Sequence, residues 1–378
     1  MQHKFDRIDR LPPYVFSEVN AMKARARAAE IDVIDFGMGN PDTGSPKHVV
    51  EKLIEAVSDP RTHRYSTSRG IKGLRQAVAN YYGNRFGVEL DIETEVIVTL
   101  GSKEGLANLA SAISAPGDVV LVPNPSYPIH PYGFVIAGAN VCSVRVGDGL
   151  DLMAEIKSAA MRVSPRPKAL VLNFPNNPTG AVVDLEFYSE VVEFARSIGM
   201  YILSDIAYAE IYFDGQPPPS ILQVPGAMDI AVEFSSVSKT YSMPGWRVGF
   251  GAGNKDLIGA LARIKSYLDY GAFTPIQVAA SAALNGPQEC VEAIRNRYRE
   301  RRDVLIDSFA SSGWEIPSPR ATMFVWAPVP AAFEALGSLQ FSKILLEEAR
   351  VAVSPGIGFG KYGDGHVRLA LVENRQRI

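Results

Sequence analysis

The sequence has little cysteine, little excess charge and no long apolar run, and each shortage excludes a class of protein. Cys142 and Cys290 are the two cysteines among 378 residues, and neither belongs to a C-x-x-C pair, so a disulfide framework or a metal site has no support. The net charge of −3 argues against binding nucleic acid or a membrane surface through charge. The N-terminus is charged, without an apolar signal region, and no apolar stretch could span a bilayer. We therefore expect a cytoplasmic protein without nucleic-acid or membrane partners.

The order of predicted elements indicates two domains, as expected for a chain of 378 residues. Predicted strands alternate with helices over 95–235, which is typical of an α/β fold with a mainly parallel sheet. Beyond residue 254 the pattern predicts a helix at 256–267, one long polar helix near 277–309, and a smaller α+β arrangement. We place the large domain at 49–282 and a discontinuous small domain at 1–48 and 283–378. Because 374–378 looks like the start of a helix, we expect the natural chain to continue further.

One lysine stands in a chemically distinctive stretch. Ser236 and Ser238 precede Lys239, and Arg247 follows the turn Pro244-Gly245. The lysine amine can form a Schiff base with a carbonyl cofactor. The hydroxyls and the guanidinium can hold a phosphate dianion. A solvated loop lysine and a surface arginine would give the same short pattern, so the stretch alone does not decide between these interpretations.

Polar or small residues follow successive predicted strands. They are Gly101, Tyr127, Asn177, Asp205 and Lys239. Ligands of α/β sheets bind at the carboxyl edge of the strands, so we expect these residues to lie close together. Five candidates at one edge carry more weight than any one of them.

Each candidate also has a simpler structural explanation. The turn Gly101-Ser-Lys-Glu-Gly105 before a helix can bind an anion, although such joins are common. Tyr127 can stack on a planar ring or pack in the core. Tyr65 is by default a surface tyrosine, and His130 by default a structural histidine. Asp205, at the end of a buried strand, requires a cation or a hydrogen-bond donor.

Four motifs in this order resemble those of the class I/II aminotransferases. They are Asn177-Pro-Thr-Gly180, Asp205-x-Ala-Tyr208, Ser236-x-Ser-Lys239 and Gly245-x-Arg247-x-Gly249. The resemblance covers nearly the whole chain and implies the aspartate-aminotransferase fold, which is fold type I of the pyridoxal 5′-phosphate enzymes. The stretches Leu11-Pro-Pro-Tyr-Val15, Tyr65-Ser-Thr-Ser-Arg-Gly70 and Ser354-Pro-Gly-Ile-Gly-Phe-Gly360 are similar to those of bacterial glutamate–pyruvate (alanine) aminotransferases.

The resemblance also implies roles for single residues. Lys239 would bond the cofactor and carry the proton, Asp205 would pair with the pyridinium nitrogen, and Tyr127 would stack on the ring. Asn177 and Tyr208 would hydrogen-bond the phenolic oxygen, which makes Lys239, Asp205 and Tyr208 the catalytic residues. The phosphate would be held by Gly101, Ser102, Lys103, Ser236 and Arg247, together with Tyr65 from the second subunit of a homodimer. Arg368, the backbone near Gly39 and the Asn177 amide would bind the substrate carboxylate.

The predicted substrates are L-alanine and 2-oxoglutarate, exchanged by a ping-pong mechanism. Arg368 lies in a short apolar strand, where a guanidinium without an anion is costly, so a carboxylate ligand explains it better than a structural ion pair. The family's dicarboxylate-specific members use a further arginine from the partner subunit. Arg263, Lys265 and the segment Tyr270-Gly-Ala-Phe-Thr-Pro275 are candidates for that function.

The sequence alone does not exclude several other functions. Lyases and decarboxylases that use the same cofactor share the lysine, the aspartate and the asparagine. The run Gly249-Phe-Gly-Ala-Gly253 before a helix suggests a dinucleotide-binding oxidoreductase, although Asn254 stands where a third glycine is expected. A regulator that merely binds the cofactor is a further alternative, but no added DNA-binding domain is visible.

Overall fold

A seven-stranded sheet forms the centre of the fold. The computed structural model describes residues 5–147, 149–215 and 217–378. The sheet contains β2 (Val96–Thr99), β3 (Val119–Asn124), β4 (Asn140–Arg145), β5 (Ala169–Asn173), β6 (Tyr201–Asp205), β7 (Ala231–Ser236) and β8 (Gly249–Gly253). The remaining strands are β1 (Ile34–Asp35), β9 (Phe324–Pro328), β10 (Val351–Ala352), β11 (Ser354–Pro355) and β12 (His366–Ala370).

Helices connect and cover these strands. They are α1 (Asp6–Asp9), α2 (Phe16–Ala28), α3 (Lys47–Val57), α4 (Lys72–Phe86), α5 (Ser102–Ile113), α6 (Ile129–Ala137), α7 (Leu152–Arg162), α8 (Leu185–Ile198), α9 (Val237–Thr240), α10 (Lys255–Leu268), α11 (Thr274–Asn285), α12 (Glu289–Ser311) and α13 (Gly337–Glu348). Among the described residues, no helix is long and apolar enough to cross a bilayer.

The large sheet is mainly parallel, as predicted. Its strand order is β2-β8-β7-β6-β5-β3-β4, and β8 alone runs antiparallel to its neighbours. Strands such as Val96–Thr99 and Ala169–Asn173 are buried along their whole length, because helices cover both faces of a doubly wound sheet. The carboxyl ends of the six parallel strands therefore meet at one edge.

Helix α8 illustrates how the sequence sets these elements. The Asp184 side chain caps the helix by accepting a hydrogen bond from the Phe187 amide, and Gly199 ends it in a left-handed conformation with φ of 70°. One face of the helix packs on the sheet through Tyr188, Val191 and Ala195. This packing fixes the start of β6, whose last residue is the candidate Asp205.

The glycine run at 249–253 forms strand β8 rather than a nucleotide-binding turn. A Cβ atom at Gly249 would lie 2.5 Å from the Ser102 amide nitrogen, and one at Gly251 would lie 2.9 Å from the Phe234 ring. The glycines are thus required by close packing inside the sheet. The turn that a dinucleotide-binding fingerprint needs is not formed by this run, so the oxidoreductase interpretation loses its basis.

The prediction of one long helix near 277–309 is wrong. Two helices, α11 and α12, cover this region, and Gly286, Pro287 and Gln288 separate them. Proline disfavours helical backbone in the residue before it. A Cβ at Gly286 would also lie 2.5 Å from the Ala282 carbonyl oxygen, so the chain turns at this point.

The ends of the chain form a second, smaller unit. Strands β11, β12 and β9 make an antiparallel sheet, and β1 pairs with β10 in parallel, with Ile34 opposite Val351. The core of this unit includes Tyr298, Phe324 and Phe341. N-terminal and C-terminal segments therefore pack together, as a discontinuous small domain requires. The boundaries at 48 and 283 stay a prediction.

Candidate active site

The carboxyl edge of the large sheet opens into a cavity of about 370 Å³ that also touches the small unit. Every residue predicted to bind the cofactor or the shared substrate carboxylate, except Tyr65, lines this cavity. They are Gly39, Gly101, Ser102, Lys103, Tyr127, Asn177, Asp205, Tyr208, Ser236, Lys239, Arg247 and Arg368.

Tyr65 lies on the surface instead. Its side chain is 86% exposed, and its ring centroid is 4.8 Å from that of Tyr270. The residue does not reach the cavity of its own chain. Its predicted contact with a second subunit stays a prediction.

One end of the cavity is built to hold an anion. Helix α5 begins there after Gly101, whose φ is +84° and which supplies no side-chain cap, so amides of the first turn are free to bind a ligand. Arg247 donates to the carbonyl oxygens of Pro244 (2.9 Å) and Leu100 (3.0 Å). Among the described residues, Arg247 has no carboxylate within ion-pair distance. A side chain at position 101 would collide with its guanidinium, so glycine is needed for this close approach.

Two serines stand beside this end. The Ser236 hydroxyl is within hydrogen-bond distance of the Val248 carbonyl and of the Ser238 hydroxyl, at 2.8 Å each. Because one hydroxyl has one proton, Ser236 has limited capacity to donate to a ligand. Ser238, whose hydroxyl the sequence analysis also considered for the phosphate, lines the cavity too and is a second candidate donor.

The Lys239 amine lies inside the cavity and donates to the Gly39 carbonyl at 2.7 Å. Burial, with the nearby charges of Arg368 and Arg247, lowers the pKa of Lys239 to about 8. A lysine with such a pKa is partly neutral near physiological pH. It can therefore act as a nucleophile or a base.

Asp205 ends β6 and is held from two sides. One carboxylate oxygen accepts from the Ala207 amide at 3.1 Å, and the other lies 3.0 Å from His130 Nε2. The Asn173 amide also donates to the Asp205 backbone carbonyl at 2.8 Å. The sequence, which indicated only a structural histidine at 130, did not reveal this contact; it forms because α6 begins directly after the β3 loop and directs His130 toward Asp205. Asn173, which lines the cavity, was also missed.

Arg368 is buried, and no counterion for it is found in the part of the chain that the structure describes. It donates to the Asn177 side-chain oxygen at 2.8 Å, while its other nitrogens have only neutral neighbours or none. The rings of Phe324 and Phe359 lie 4.0 and 4.7 Å from its guanidinium carbon. Burial lowers the pKa of Arg368 to about 10. A ligand carboxylate would supply the missing negative charge.

Two tyrosines complete the walls. The Tyr127 ring lies at the cavity surface, 5.9 Å from the Lys103 ammonium. Tyr208 is buried, and burial raises its pKa well above the usual value, so its hydroxyl keeps its proton and can donate a hydrogen bond.

The prediction of Lys265 as a cation for a distal carboxylate is wrong. Its side chain is 0% exposed and forms ion pairs with Glu104 and Asp269, each at 2.9 Å. Arg263 is exposed on α10, and Tyr270 is 65% exposed on the segment that follows. Neither of these two lines the cavity of its own chain.

Comparison with known proteins identifies the family. The model for aminotransferase class I and II matches residues 31–377. The chain belongs to this family. This aminotransferase is 59% identical to the putative aminotransferase AatC of Rhizobium meliloti, over 99% of its length and 93% of that protein. It is 56% identical to the glutamate-pyruvate aminotransferase AlaC of Escherichia coli, over 100% of its length and 92% of that protein.

More distant relatives are named for other substrates, and a solved structure among them establishes the fold. The LL-diaminopimelate aminotransferase of Moorella thermoacetica is 45% identical over 98% of the chain and 95% of that protein. A solved mutant of Thermus thermophilus aspartate aminotransferase superposes with a TM-score of 0.92 at 31% identity, over 100% of the chain and 97% of that structure. The fold is therefore the aspartate-aminotransferase fold. The membership favours amino transfer over the lyase and decarboxylase alternatives.

Pyridoxal 5′-phosphate is the cofactor of this aminotransferase, and the residues present fit it. The end near Arg247 and Ser102 is cationic and rich in donors, as a phosphate requires. The Asp205 carboxylate, which lines the same cavity, suits a protonated ring nitrogen. The Lys239 amine lines the same cavity. When bound, the cofactor accepts the electrons released at the substrate Cα.

Proposed function

We propose that this aminotransferase exchanges the amino group between L-alanine and 2-oxoglutarate, giving pyruvate and L-glutamate by a ping-pong mechanism. The observation that carries the proposal is the 56% identity to a glutamate-pyruvate aminotransferase along the whole chain. Relatives named LL-diaminopimelate aminotransferases, at 45% identity, make that diamino acid the substrate to test against.

The proposal assigns the substrate carboxylate to Arg368 and Asn177. These two groups already bond each other at 2.8 Å, so the amide orients the guanidinium before a ligand arrives. The two aromatic rings beside Arg368 exclude water, which strengthens a charged hydrogen bond. An α-carboxylate is common to all candidate substrates, so this contact supports amino-acid binding but not a choice among them.

The chemistry is assigned to Lys239, Asp205 and Tyr208. With the cofactor bound, the Lys239 amine would accept the proton from the substrate Cα and donate it to the cofactor. Asp205, oriented by His130, would hold a proton at the ring nitrogen, while Tyr208 and Asn177 would donate to the phenolic oxygen. Tyr127 would cover the ring. Gly101, Ser102, Lys103, Ser236 and Arg247 would hold the phosphate.

We further propose a homodimer in which Tyr65 of the partner subunit reaches the phosphate. The exposure of Tyr65 and of its neighbour Tyr270 supports this, because large exposed aromatic patches mark interaction surfaces.

The site must accept both a methyl group and a propionate arm, so an added cation is needed for the second carboxylate. Arg263 of the partner subunit is the candidate for this cation.

We also propose a cytoplasmic location. Both cysteines are free, which supports it.

A half-reaction screen tests the proposed substrates. The cofactor-loaded enzyme is mixed separately with L-alanine, L-glutamate, L-aspartate and LL-diaminopimelate, and amino transfer is followed by absorbance. We expect alanine and glutamate to react faster than the other two. Faster reaction of LL-diaminopimelate or aspartate would overturn the substrate assignment and leave the aminotransferase activity in place.

A further inference from the structure

A buried lysine lies between the cofactor-phosphate turn and the aromatic surface. Lys265 is on α10, outside the cavity, and its ammonium has two carboxylate partners at 2.9 Å. Glu104 belongs to the first turn of α5, next to the phosphate residues. Asp269 directly follows α10, next to Tyr270. The lysine thus connects two segments that are far apart in sequence.

Each carboxylate uses its second oxygen to hold a backbone turn. The Leu100 amide donates to Glu104 at 2.9 Å, and the Gly271 amide donates to Asp269 at 2.6 Å. On both sides of Lys265, therefore, one oxygen accepts from the ammonium and the other fixes main chain. Charged hydrogen bonds of this kind are shorter and stronger than neutral ones.

On the cofactor side, this connection continues to the phosphate site. The Leu100 carbonyl accepts from the Arg247 guanidinium at 3.0 Å. Glu104 is separated from Ser102 by a single residue in the same helical turn. A shift of the Glu104 carboxylate would therefore move both the helix end and the orientation of Arg247.

On the surface side, the connection continues to Tyr65. Gly271, at φ +78°, packs so closely on the Thr67 carbonyl that a side chain there would collide with it. The Gln277 amide binds Ser66 at 2.9 Å and so holds the same loop. The rings of Tyr65 and Tyr270, with centroids 4.8 Å apart and planes tilted by 38°, contact each other at the end of this arrangement.

We propose that Lys265 is a positioning residue that couples the phosphate-binding turn at 100–104 to the Tyr65–Tyr270 surface. The proposal rests on the proposed function, because that function assigns the phosphate to Ser102 and Arg247. Removing the ammonium leaves Glu104 and Asp269 close together without a cation. Asn108 still donates to Glu104, but the two carboxylates repel each other and hold their turns less firmly. Phosphate binding then weakens although Lys265 never touches the ligand.

The test compares two buried cations that each have two carboxylate partners. Lys265→Met removes the ammonium and keeps an unbranched side chain of similar length. The matched control is Arg302→Met, which removes a buried guanidinium paired with Asp214 and Asp303, away from the cavity. We measure melting temperature and the dissociation constant of pyridoxal 5′-phosphate on the full chain. Both variants should melt earlier, but only Lys265→Met should bind the cofactor about tenfold more weakly. Equal cofactor affinity in the two variants overturns the proposal.

Two further measurements keep the result interpretable. If Lys265→Met does not fold, Asp269→Asn keeps the side-chain size and should give a smaller loss of affinity in the same direction. Inorganic phosphate, which cannot react with Lys239, should raise the melting temperature of the unaltered chain more than that of Lys265→Met. If phosphate raises the two melting temperatures equally, the coupling through Lys265 is contradicted but the phosphate site is not. If it raises neither, the proposed phosphate site is contradicted as well.

A double-variant cycle tests the connection to the surface. Tyr65→Phe removes the hydroxyl that is proposed to reach the phosphate of the partner subunit. If Lys265 holds that surface, the fold-loss of cofactor affinity in the double variant should be smaller than the product of the fold-losses in Lys265→Met and Tyr65→Phe. Independent effects, multiplying to within about twofold, would restrict Lys265 to the phosphate turn and overturn the coupling.

Discussion

Two groups of buried arginines differ in their partners. Arg368 faces the cavity and is 7% exposed, and Arg301, on α12, is 6% exposed. Arg301 pairs with both carboxylate oxygens of Asp42, at 2.8 and 2.7 Å, and its neighbour Arg302 pairs with Asp214 and Asp303. Among the described residues, Arg368 has no carboxylate within ion-pair distance.

The pKa values follow the partners rather than the burial. Burial alone would lower the pKa in both groups, but the Asp42 carboxylate raises that of Arg301. Arg368 has no such compensation, and its pKa falls to about 10. A buried charge without a partner opposes folding, so its presence indicates a role in binding an anion. We therefore propose that paired cations such as Arg301 stabilise the protein, whereas Arg368 binds a ligand.

The largest expected effect comes from removing the reactive cation of the cavity. Lys239→Ala should abolish covalent attachment of the cofactor and lower turnover by about 10⁴-fold or more, because both the bond and the proton carrier are lost. Borohydride reduction followed by peptide mapping measures the attachment. Label on another lysine of the unaltered enzyme would contradict the assignment.

The comparison of the arginines themselves is tested by exchanging each for glutamine. Arg368→Gln should raise the KM for L-alanine about 100-fold, because the substrate carboxylate loses a charged hydrogen-bond pair, while the melting temperature changes little. Arg302→Gln should lower the free energy of unfolding by about 2 kcal/mol and leave KM unchanged. Steady-state kinetics and urea unfolding measure the two quantities. If both variants changed the same quantity, burial rather than pairing would explain the two groups.

Much of this site could be predicted from the sequence because parallel strands bring their ends together. Asp205, Asn177 and Lys239 are far apart in the chain, yet each lies at or just after the end of a buried strand, and the sheet order places them in one cavity. The reversed direction of β8 could not be predicted from its own residues, since it depends on how the chain returns to the sheet.

The residues that were missed depend on distant packing. His130 meets Asp205 across 75 positions, and no local pattern indicates that contact. Lys265 has the sequence pattern of a solvated lysine on an amphipathic helix, and it is buried only because α10 packs on α5. The break at Gly286-Pro287 is different. A Gly-Pro pair is a local sequence signal for the end of a helix, so this break could have been predicted.

A smaller effect should appear in the pH dependence of cofactor attachment. The pKa of Lys239 is near 8, so the rate of attachment to the cofactor-free chain should rise with pH around that value. In Arg368→Gln the midpoint should move upward, because a positive neighbour that disfavours the ammonium is gone. Arg302→Gln should keep the midpoint near 8. A midpoint that is the same in all three proteins would show that the cavity charges do not act on Lys239.

The smallest effect on turnover is expected at Glu233. Like Arg368, it is a buried ionisable residue, but it does not line the cavity. Its carboxyl group is 0% exposed and is surrounded by neutral donors, among them Ser220 at 2.6 Å and Tyr82 at 3.1 Å. Burial raises the pKa of Glu233 to about 7, against the effect of these hydrogen bonds. Arg368 can gain an anion from a ligand, whereas Glu233 can only take up a proton.

The sign of the resulting pH effect follows from this raised pKa. Between about pH 4.5 and 7 the folded protein holds a proton on Glu233 that the unfolded chain has lost. The stabilisation is therefore complete below pH 4.5 and is lost as the pH rises through 7. Glu233→Gln, which resembles the protonated acid, should remove this loss. Between pH 5 and 7.5 the unaltered protein should lose about 2 kcal/mol more unfolding free energy than the variant, with turnover unchanged. Urea unfolding at the two pH values measures this difference. Parallel losses in both proteins would mean that Glu233 is ionised throughout and that its hydrogen-bond donors replace a counterion.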